Sequence, residues 1–266
     1  MSKTKINVKL KEDQYSIHLV DNILDPSLIK KYISDRQIMI IYDNNLSIEK
    51  VRDFSSMINS YTKFETISMG IVATEDKKSQ ETLNDIHNRL IEEKFSRDCL
   101  LIGMGGGIVC DISGFAAATY LRGVDFVLIP TSLLAQVDAS VGGKTAINHA
   151  LGKNLIGAFH QPKIVLIDTS FLETLPKKEV ICGLVEMIKH SLISDQTYFI
   201  WIKENINFIK DLDQEIVKEA VQKSIQIKAD IVSKDEKELG LRAILNFGHT
   251  FGHAIELLGK FKDYSH

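Results

Sequence analysis

Asn246-Phe-Gly-His249-Thr-Phe-Gly-His253 sets two imidazoles four positions apart. On a helix this spacing puts both on one face, able to bind a divalent metal or to pair a ligand with an acid–base group. Thr250 stands where the H-E-x-x-H of a metalloprotease needs its glutamate, so that chemistry is excluded. In Gly183-Leu-Val-Glu-Met-Ile-Lys-His190, Glu186 and Lys189 lie one helical turn apart. A solvated ion pair is the ordinary reading of that spacing. The apolar neighbours Leu184, Val185, Met187 and Ile188 weaken it. Lys228 falls in the run Val221, Ile225, Lys228, Val232, the apolar stripe of a helix. Either this lysine snorkels to water or it is buried facing a ligand anion.

A second group of residues suits phosphate. Leu100-Leu-Ile-Gly-Met-Gly-Gly-Gly107 leads directly into Ile108-Val-Cys-Asp-Ile-Ser-Gly-Phe115. A strand that ends in glycines and opens into a helix aims backbone N–H groups and a positive helix end at an anion. The G-x-G-x-x-G fingerprint is incomplete, because Ile108 occupies the third glycine position. Gly143-Lys144-Thr145 imitates a nucleotide-triphosphate loop, but Asp138 replaces the first glycine and that reading fails. What remains is a loop-like run, Gln136 to Thr145, with Asp138 and Lys144 six residues apart. Arg122, Lys153 and Asn154, in other polar or glycine-containing turns, can converge on the same anion; taken singly, each is an ordinary surface group.

The elements that must carry these residues change type along the chain. Apolar runs at Ile6–Leu10, Tyr15–Val20, Gln37–Tyr42, Glu65–Met69, Cys99–Met104, Phe126–Ile129 and Ile164–Ile167 read as strands. Helical patterns lie between several of them, at Ser47–Tyr61 and at Ser79–Phe95, the latter opening on a serine cap. Beyond the Leu-Pro break at Pro176 the chain reads as helix throughout: Lys178–Ser194, Gln196–Lys210, Asp213–Ser233 and Thr250–Lys260. The fold expected is α/β, a Rossmann-like nucleotide-binding domain over residues 1–175 with a largely parallel sheet, then an all-helical domain over 176–266.

Bulk properties remove other classes. The net charge is -3 without a block of either sign, which argues against a nucleic-acid partner. The three cysteines are scattered and form no C-x-x-C pair, so neither a disulfide framework nor a thiolate metal site is expected. Residues 1–20 have no signal-type apolar core, and no stretch reaches the ~20 apolar residues that span a bilayer. A cytoplasmic protein with no membrane partner is the expectation.

Together these segments resemble the 3-dehydroquinate synthase family over nearly the whole chain. The likeness rests on Gly-Gly-Gly-Ile-Val-Cys-Asp at 105–111, Tyr-Leu-Arg-Gly at 120–123, Pro-Thr-Ser-Leu-Leu-Ala-Gln-Val-Asp at 130–138 and Val-Gly-Gly-Lys-Thr at 141–145. It continues in Gly-Lys-Asn-Leu-Ile-Gly at 152–157, Gly-Leu-Val-Glu-Met-Ile-Lys at 183–189 and the run 242–253. The resemblance implies Glu186, His249 and His266 as metal ligands, normally for zinc, with cobalt as the alternative. It implies an NAD site drawn from Asp43, Glu75, Lys78, Gly106, Gly107, Asp111, Thr131, Ser132 and Thr174. Catalytic roles fall on Asp138, Lys144, Lys189, Asn246 and His253, and substrate binding on Arg122, Lys153, Asn154, Lys228 and Arg242.

The implied substrate is the seven-carbon sugar phosphate DAHP, cyclised to 3-dehydroquinate with loss of phosphate and no net change in NAD; the expected assembly is a homodimer. Three departures accompany the likeness: Cys110 where the family has glycine, Asn148 where an acidic residue is common, and a chain ending at His266, inside the helical domain as the family has it. On that last point the expectation is that residues 1–266 bind NAD but catalyse poorly or not at all. Other sugar-phosphate cyclases, a metal-dependent NAD alcohol dehydrogenase and a non-catalytic NAD module are the competing readings; Lys228, Arg242 and Asn246 favour the dehydroquinate branch.

Overall fold

The computed structural model describes residues 4–11 and 13–258. All seven expected strands form, as β1 (Thr4–Lys9), β2 (Gln14–Val20), β3 (Ile38–Asp43), β4 (Ile67–Ile71), β5 (Leu100–Gly105), β6 (Asp125–Pro130) and β9 (Ile164–Asp168). They make one seven-stranded sheet in the order β1-β2-β9-β6-β5-β3-β4. Every pairing is parallel except that of β1 with β2. All six residues of β5 are buried, as a strand covered on both faces requires.

Two helices cover one face: the single turn α1 (Lys30–Ile33) and α2 (Ile48–Asn59), through Ile33, Val51, Phe54 and Ile58. The other face receives α3 (Gln80–Glu92) and α4 (Gly107–Thr119). As expected, Ser79 caps α3, its Oγ accepting from the Thr82 N–H at 3.3 Å. After Asp168 no strand follows among the described residues. A 3₁₀ segment (Thr169–Thr174) leads to α5 (Lys177–Ser194), α6 (Gln196–Lys210), α7 (Gln214–Lys234), a second 3₁₀ turn (Leu241–Asn246) and α8 (His249–Leu258).

The helical half shares a core with the sheet. Ile6, Val8 and Tyr15 of β1 and β2 belong to the same apolar cluster as Val221, Ile225 and Val232 of α7. Polar contacts reinforce that seam: the Lys9 N–H donates to Ser233 Oγ at 3.2 Å, and Lys218 pairs with Asp21.

One element escapes the sequence. The supposed loop around Lys144 and Lys153 is an antiparallel hairpin outside the main sheet, β7 (Lys144–His149) with β8 (Gly152–Phe159), laid against α4. Its strand signal is hidden because β8 leaves Leu155, Ile156 and Phe159 exposed and contains Gly157. That glycine is required: a Cβ there would lie 2.1 Å from the Thr145 carbonyl oxygen.

Candidate functional site

The chain leaves β3 towards β4 on one side and leaves β5 towards β6 on the other, although β3 and β5 are neighbours, with Tyr42 opposite Met104. Such a reversal opens a crevice at the carboxyl ends of the two strands, where parallel sheets bind nucleotides. Asp43 closes β3 there, its Oδ1 accepting from the Asn45 N–H at 2.9 Å. Opposite it, the glycine turn divides its labour. A Cβ on Gly103 would lie 2.9 Å from Ser113, and one on Gly105 would lie 2.5 Å from Val109, so these two let α4 pack tightly on the sheet. Gly106 caps α4 with no side chain, and Gly107 begins it. The first N–H groups of the helix are therefore left for an anion, which fits a dinucleotide pyrophosphate.

Thr131 and Ser132 border this turn. The Thr131 N–H donates to Gly105 O at 2.9 Å, and Ser132 Oγ accepts from the Ala135 N–H at 3.3 Å while facing Gly106. Asp111, one turn into α4, pairs with buried Lys78 at 2.5 Å, and Lys78 also donates to Asn154 Oδ1 at 2.5 Å. Burial raises the Asp111 carboxyl above its ordinary value, and Lys78 opposes that. Asn148 joins the segment to the hairpin. Its Nδ2 donates to the carbonyl of Glu75 at 2.9 Å and to Glu75 Oε2 at 2.8 Å, and its Oδ1 accepts from the Asn154 N–H at 3.0 Å. Asn148, whose own N–H donates to Lys78 O at 2.7 Å, thus organises Glu75, Lys78 and Asn154. Thr174, exposed at the end of its 3₁₀ segment, makes no hydrogen bond to the crevice among the described residues.

Deeper in, a π-helical turn at Ala135–Ala139 carries Asp138. Single π turns of this kind insert a residue and re-aim a side chain. The turn adjoins the glycines, since a Cβ on Gly107 would lie 3.3 Å from Ala139 Cβ. Lys228 reaches it from α7 and donates to Asp138 Oδ1 at 2.5 Å and to Asp138 O at 2.7 Å. With 6% exposure it does not snorkel. Glu186 and Lys189 on α5 form a buried ion pair, so the solvated reading of that pair also fails. Burial alone would raise the Asp138 carboxyl; Lys228, His190 and Lys189 outweigh it and hold the group well below the usual carboxylate range. Burial draws the Lys228 ammonium below its ordinary value, against the pull of Asp138, and burial likewise lowers His190.

His190 is the member of this cluster to which sequence gave no role. Its signal was available: it follows Glu186 by one turn on an apolar helix, hence on the same face. Ligand atoms of Asp138, Glu186 and His190 all lie within 4.8 Å of one another. Two ammonium groups, those of Lys189 and Lys228, balance the two carboxylates, so a cation bound through Glu186 would take the place that Lys189 now holds on it.

For the expected metal, Glu186 offers a buried carboxylate from α5, which packs against the turn Leu241–Asn246 leading into α8. His249 starts α8 with its Nδ1 3.4 Å from the Phe247 carbonyl, and its imidazole is an ordinary ligand for such a metal. This donor chemistry fits a divalent metal. The side chain of His253 and all of His266 lie outside the described residues.

Three of the expected anion binders, Lys144, Lys153 and Arg242, are held by a carboxylate or carbonyl. Lys144 pairs with Glu238, and the same carboxylate accepts from Asn246 Nδ2 at 2.9 Å. Lys153 stands between Glu75 at 3.5 Å and Glu256 at 3.4 Å. Arg242, 1% exposed, donates to Gly142 O at 3.0 Å and to Glu236 O at 2.5 Å. A Cβ on Gly142, whose φ is +101°, would strike that guanidinium. Arg242 therefore pins the loop preceding Lys144. Arg122 is not brought to this group: it is exposed in the turn after α4, at the opposite end of a thirteen-residue helix from the glycine turn. That length is roughly 20 Å at 1.5 Å per residue.

Comparison with known proteins places this geometry. Residues 68–182 match the family model described as 3-dehydroquinate synthase N-terminal, and residues 183–266 match 3-dehydroquinate synthase C-terminal. The 3-dehydroquinate synthase of Shewanella pealeana is 44% identical over 253 residues, 95% of this chain and 70% of that protein. That of Pseudomonas fluorescens is 46% identical over 255 residues, 94% of this chain and 68% of the relative. Among solved structures, the 2-epi-5-epi-valiolone synthase of Streptomyces hygroscopicus with NAD⁺ and Zn²⁺ bound superposes with a TM-score of 0.88 at 26% identity, covering 96% of this chain and 71% of that one. An iron-containing alcohol dehydrogenase of Thermotoga maritima shares the fold at a TM-score of 0.67 and 12% identity, over 97% of this chain and 80% of that one.

Proposed function

This chain belongs to the 3-dehydroquinate synthase family, and we propose how its residues divide the conversion of the sugar phosphate DAHP to 3-dehydroquinate and inorganic phosphate. The observation that carries the reading is the closeness of Gly107 to Ala139, where an added Cβ would lie 3.3 Å from the alanine's own, which sets the nucleotide crevice beside the Asp138 cluster. Hydride exchange at a bound sugar and the charged groups needed to hold that sugar then meet at one place.

The crevice of Asp43, Gly106, Gly107, Thr131 and Ser132, with Glu75, Lys78 and Asp111 beside it, is assigned to NAD; Thr174 is assigned to NAD by the family resemblance alone. Glu186, His249 and His266 are assigned to zinc. When bound, NAD removes and returns one hydride and the metal polarises the alcohol and ketone oxygens. Lys144 and Lys153, with Asn154 and Asn246, grip the anionic ends of the substrate by exchanging their present carboxylate and amide partners for it. Lys228 keeps Asp138 ionised next to the reacting carbons. Lys189 neutralises Glu186 within the same cluster. His253 is assigned the proton relay. Arg242 acts by fixing the loop that carries Lys144, and the assignment of Arg122 to the substrate draws no support from the geometry of this chain.

Residues 1–175 are read as the nucleotide-binding domain and 176–266 as the helical one. A cytoplasmic location and a homodimer complete the proposal; no helix among the described residues is long and apolar enough to cross a membrane. The test is incubation with DAHP and NAD while phosphate and 3-dehydroquinate are measured. Both products should appear without accumulation of NADH. Stoichiometric NADH release from an alcohol would instead assign the chain to the dehydrogenases that share its fold.

A further inference from the structure

We infer that His190 is a positioning residue for Asp138, and that Ser224 fixes the imidazole tautomer through which it acts. This rests on the proposed role of Asp138 beside the substrate. His190 is wholly buried on α5, and its Nδ1 lies 2.7 Å from Oγ of Ser224, itself wholly buried on α7. Its Nε2 has no hydrogen-bond partner, and the carboxylate oxygen Oδ1 of Asp138 stands 3.7 Å away. A buried imidazole nitrogen without a partner is costly unless it serves a neighbour in another state of the site.

The tautomer follows from what faces each nitrogen. With the proton on Nδ1, Nε2 would turn a lone pair towards an ionised carboxylate, acceptor against acceptor in a buried setting. With the Ser224 hydroxyl donating to Nδ1, the proton sits on Nε2 and its N–H points at Asp138. The competing claim on Ser224 comes from Tyr198, whose phenol also lies beside that hydroxyl while donating to Ala220 O at 2.8 Å. Asp138 Oδ1 is then addressed from two sides, by the Lys228 ammonium at 2.5 Å and by the His190 N–H. Ser224 and Lys228 are one turn apart on α7, so a single helix face sets both the ammonium and, through the hydroxyl, the imidazole. A movement of under ~1 Å would bring Nε2 to hydrogen-bond distance. The carboxylate is held in one orientation at the junction of crevice and cluster.

Nitrogen-detected NMR of the full chain should show His190 protonated on Nε2, and Ser224→Ala should abolish the single-tautomer signal. In the DAHP assay, His190→Leu should lower kcat by about tenfold or more, the scale of outer-shell losses, with KM changed less than threefold. His190→Gln, which retains an N–H donor, should recover most of that loss. Wild-type protein protonated on Nδ1 overturns the inference, as does His190→Leu with unaltered kcat alongside an inactive Asp138→Asn. If His190→Leu does not fold, Ser224→Ala carries the kinetic test, with a fall in kcat expected and unchanged kcat overturning it. If Asp138→Asn keeps full turnover, the reading of Asp138 has failed, and the tautomer measurement still decides whether His190 addresses it.

Discussion

Lys228 grips Asp138 twice, through the carboxylate and through the backbone carbonyl, across ninety positions of chain. Removing the ammonium therefore strands a mostly buried carboxylate. We predict that Lys228→Met lowers stability by roughly 3 kcal/mol, the lower end for a broken buried pair because Asp138 is 26% exposed. Turnover of DAHP should fall at least as steeply. The pH dependence should weaken as well. In the parent, the Asp138 pKa is depressed, so the pair stabilises the fold above the ordinary carboxylate range and the benefit is lost as pH falls through the folded value. Without Lys228, only His190 and Lys189 still oppose burial, so that pKa should rise towards the ordinary carboxylate range and the acid loss of stability should shrink. Thermal melts of both proteins across acidic to neutral pH check the difference.

The glycine turn should separate binding from packing. Gly106→Ala meets only Ser132, at 3.4 Å, and has no backbone objection at a φ of -71°. Its methyl should crowd the anion site, weakening NAD binding about tenfold with little change in Tm. Gly105→Ala drives a methyl to 2.5 Å from Val109 and should cost about 1–3 kcal/mol instead. Calorimetric titration with NAD, run beside thermal melts, distinguishes the two; equal Tm losses would refute the division of roles.

Introducing an acidic residue at position 148 should be harmful here. Asn148→Asp replaces two donors to Glu75 with a like charge at 2.8 Å. We predict a loss of roughly 1–3 kcal/mol and weaker NAD binding, partly relieved by Glu75→Gln in the same chain. Unaltered binding by the single variant would show that Glu75 and Lys78 reach NAD without this scaffold.

Metal content provides an independent check on the ligand set. Glu186→Ala and His249→Ala should each reduce bound divalent metal, measured by elemental analysis, together with activity. Chelation should abolish turnover, and added Zn²⁺ or Co²⁺ should restore it. Full metal occupancy in either variant would remove that residue from the set.

Period-two and period-3.6 patterns made the parallel sheet and the long helices legible, and the stripe Val221, Ile225, Val232 exposed Lys228 as anomalous. The hairpin β7–β8 was not legible, because its strands pack on a helix rather than in a sheet and expose apolar side chains. Nor was the structural work of Arg242, since an arginine spent on backbone carbonyls looks in sequence like one kept for a ligand. Cys110 does not disturb the glycine turn: its buried Sγ lies 3.8 Å from Gly105 O, and burial pushes the thiol far above its ordinary value.

The seam between β1 and α7 has a consequence for the order in which the molecule assembles. Residues near the amino terminus find partners more than two hundred positions later: Lys9 with Ser233, Thr4 with Gln222. β2 has no parallel neighbour until β9 exists, since Ser16 pairs with Ile164. On a ribosome that supplies ~5–20 residues per second, the first hairpin waits roughly ten seconds or more for the segments that complete it. During that interval the strands β3 to β6 can associate while β1 and β2 stay unpaired with the sheet, exposing Ile17 and Leu19 to other chains. Aggregation during synthesis, rather than instability of the finished fold, is where substitutions in β1, β2 or the β1-facing side of α7 should first be felt.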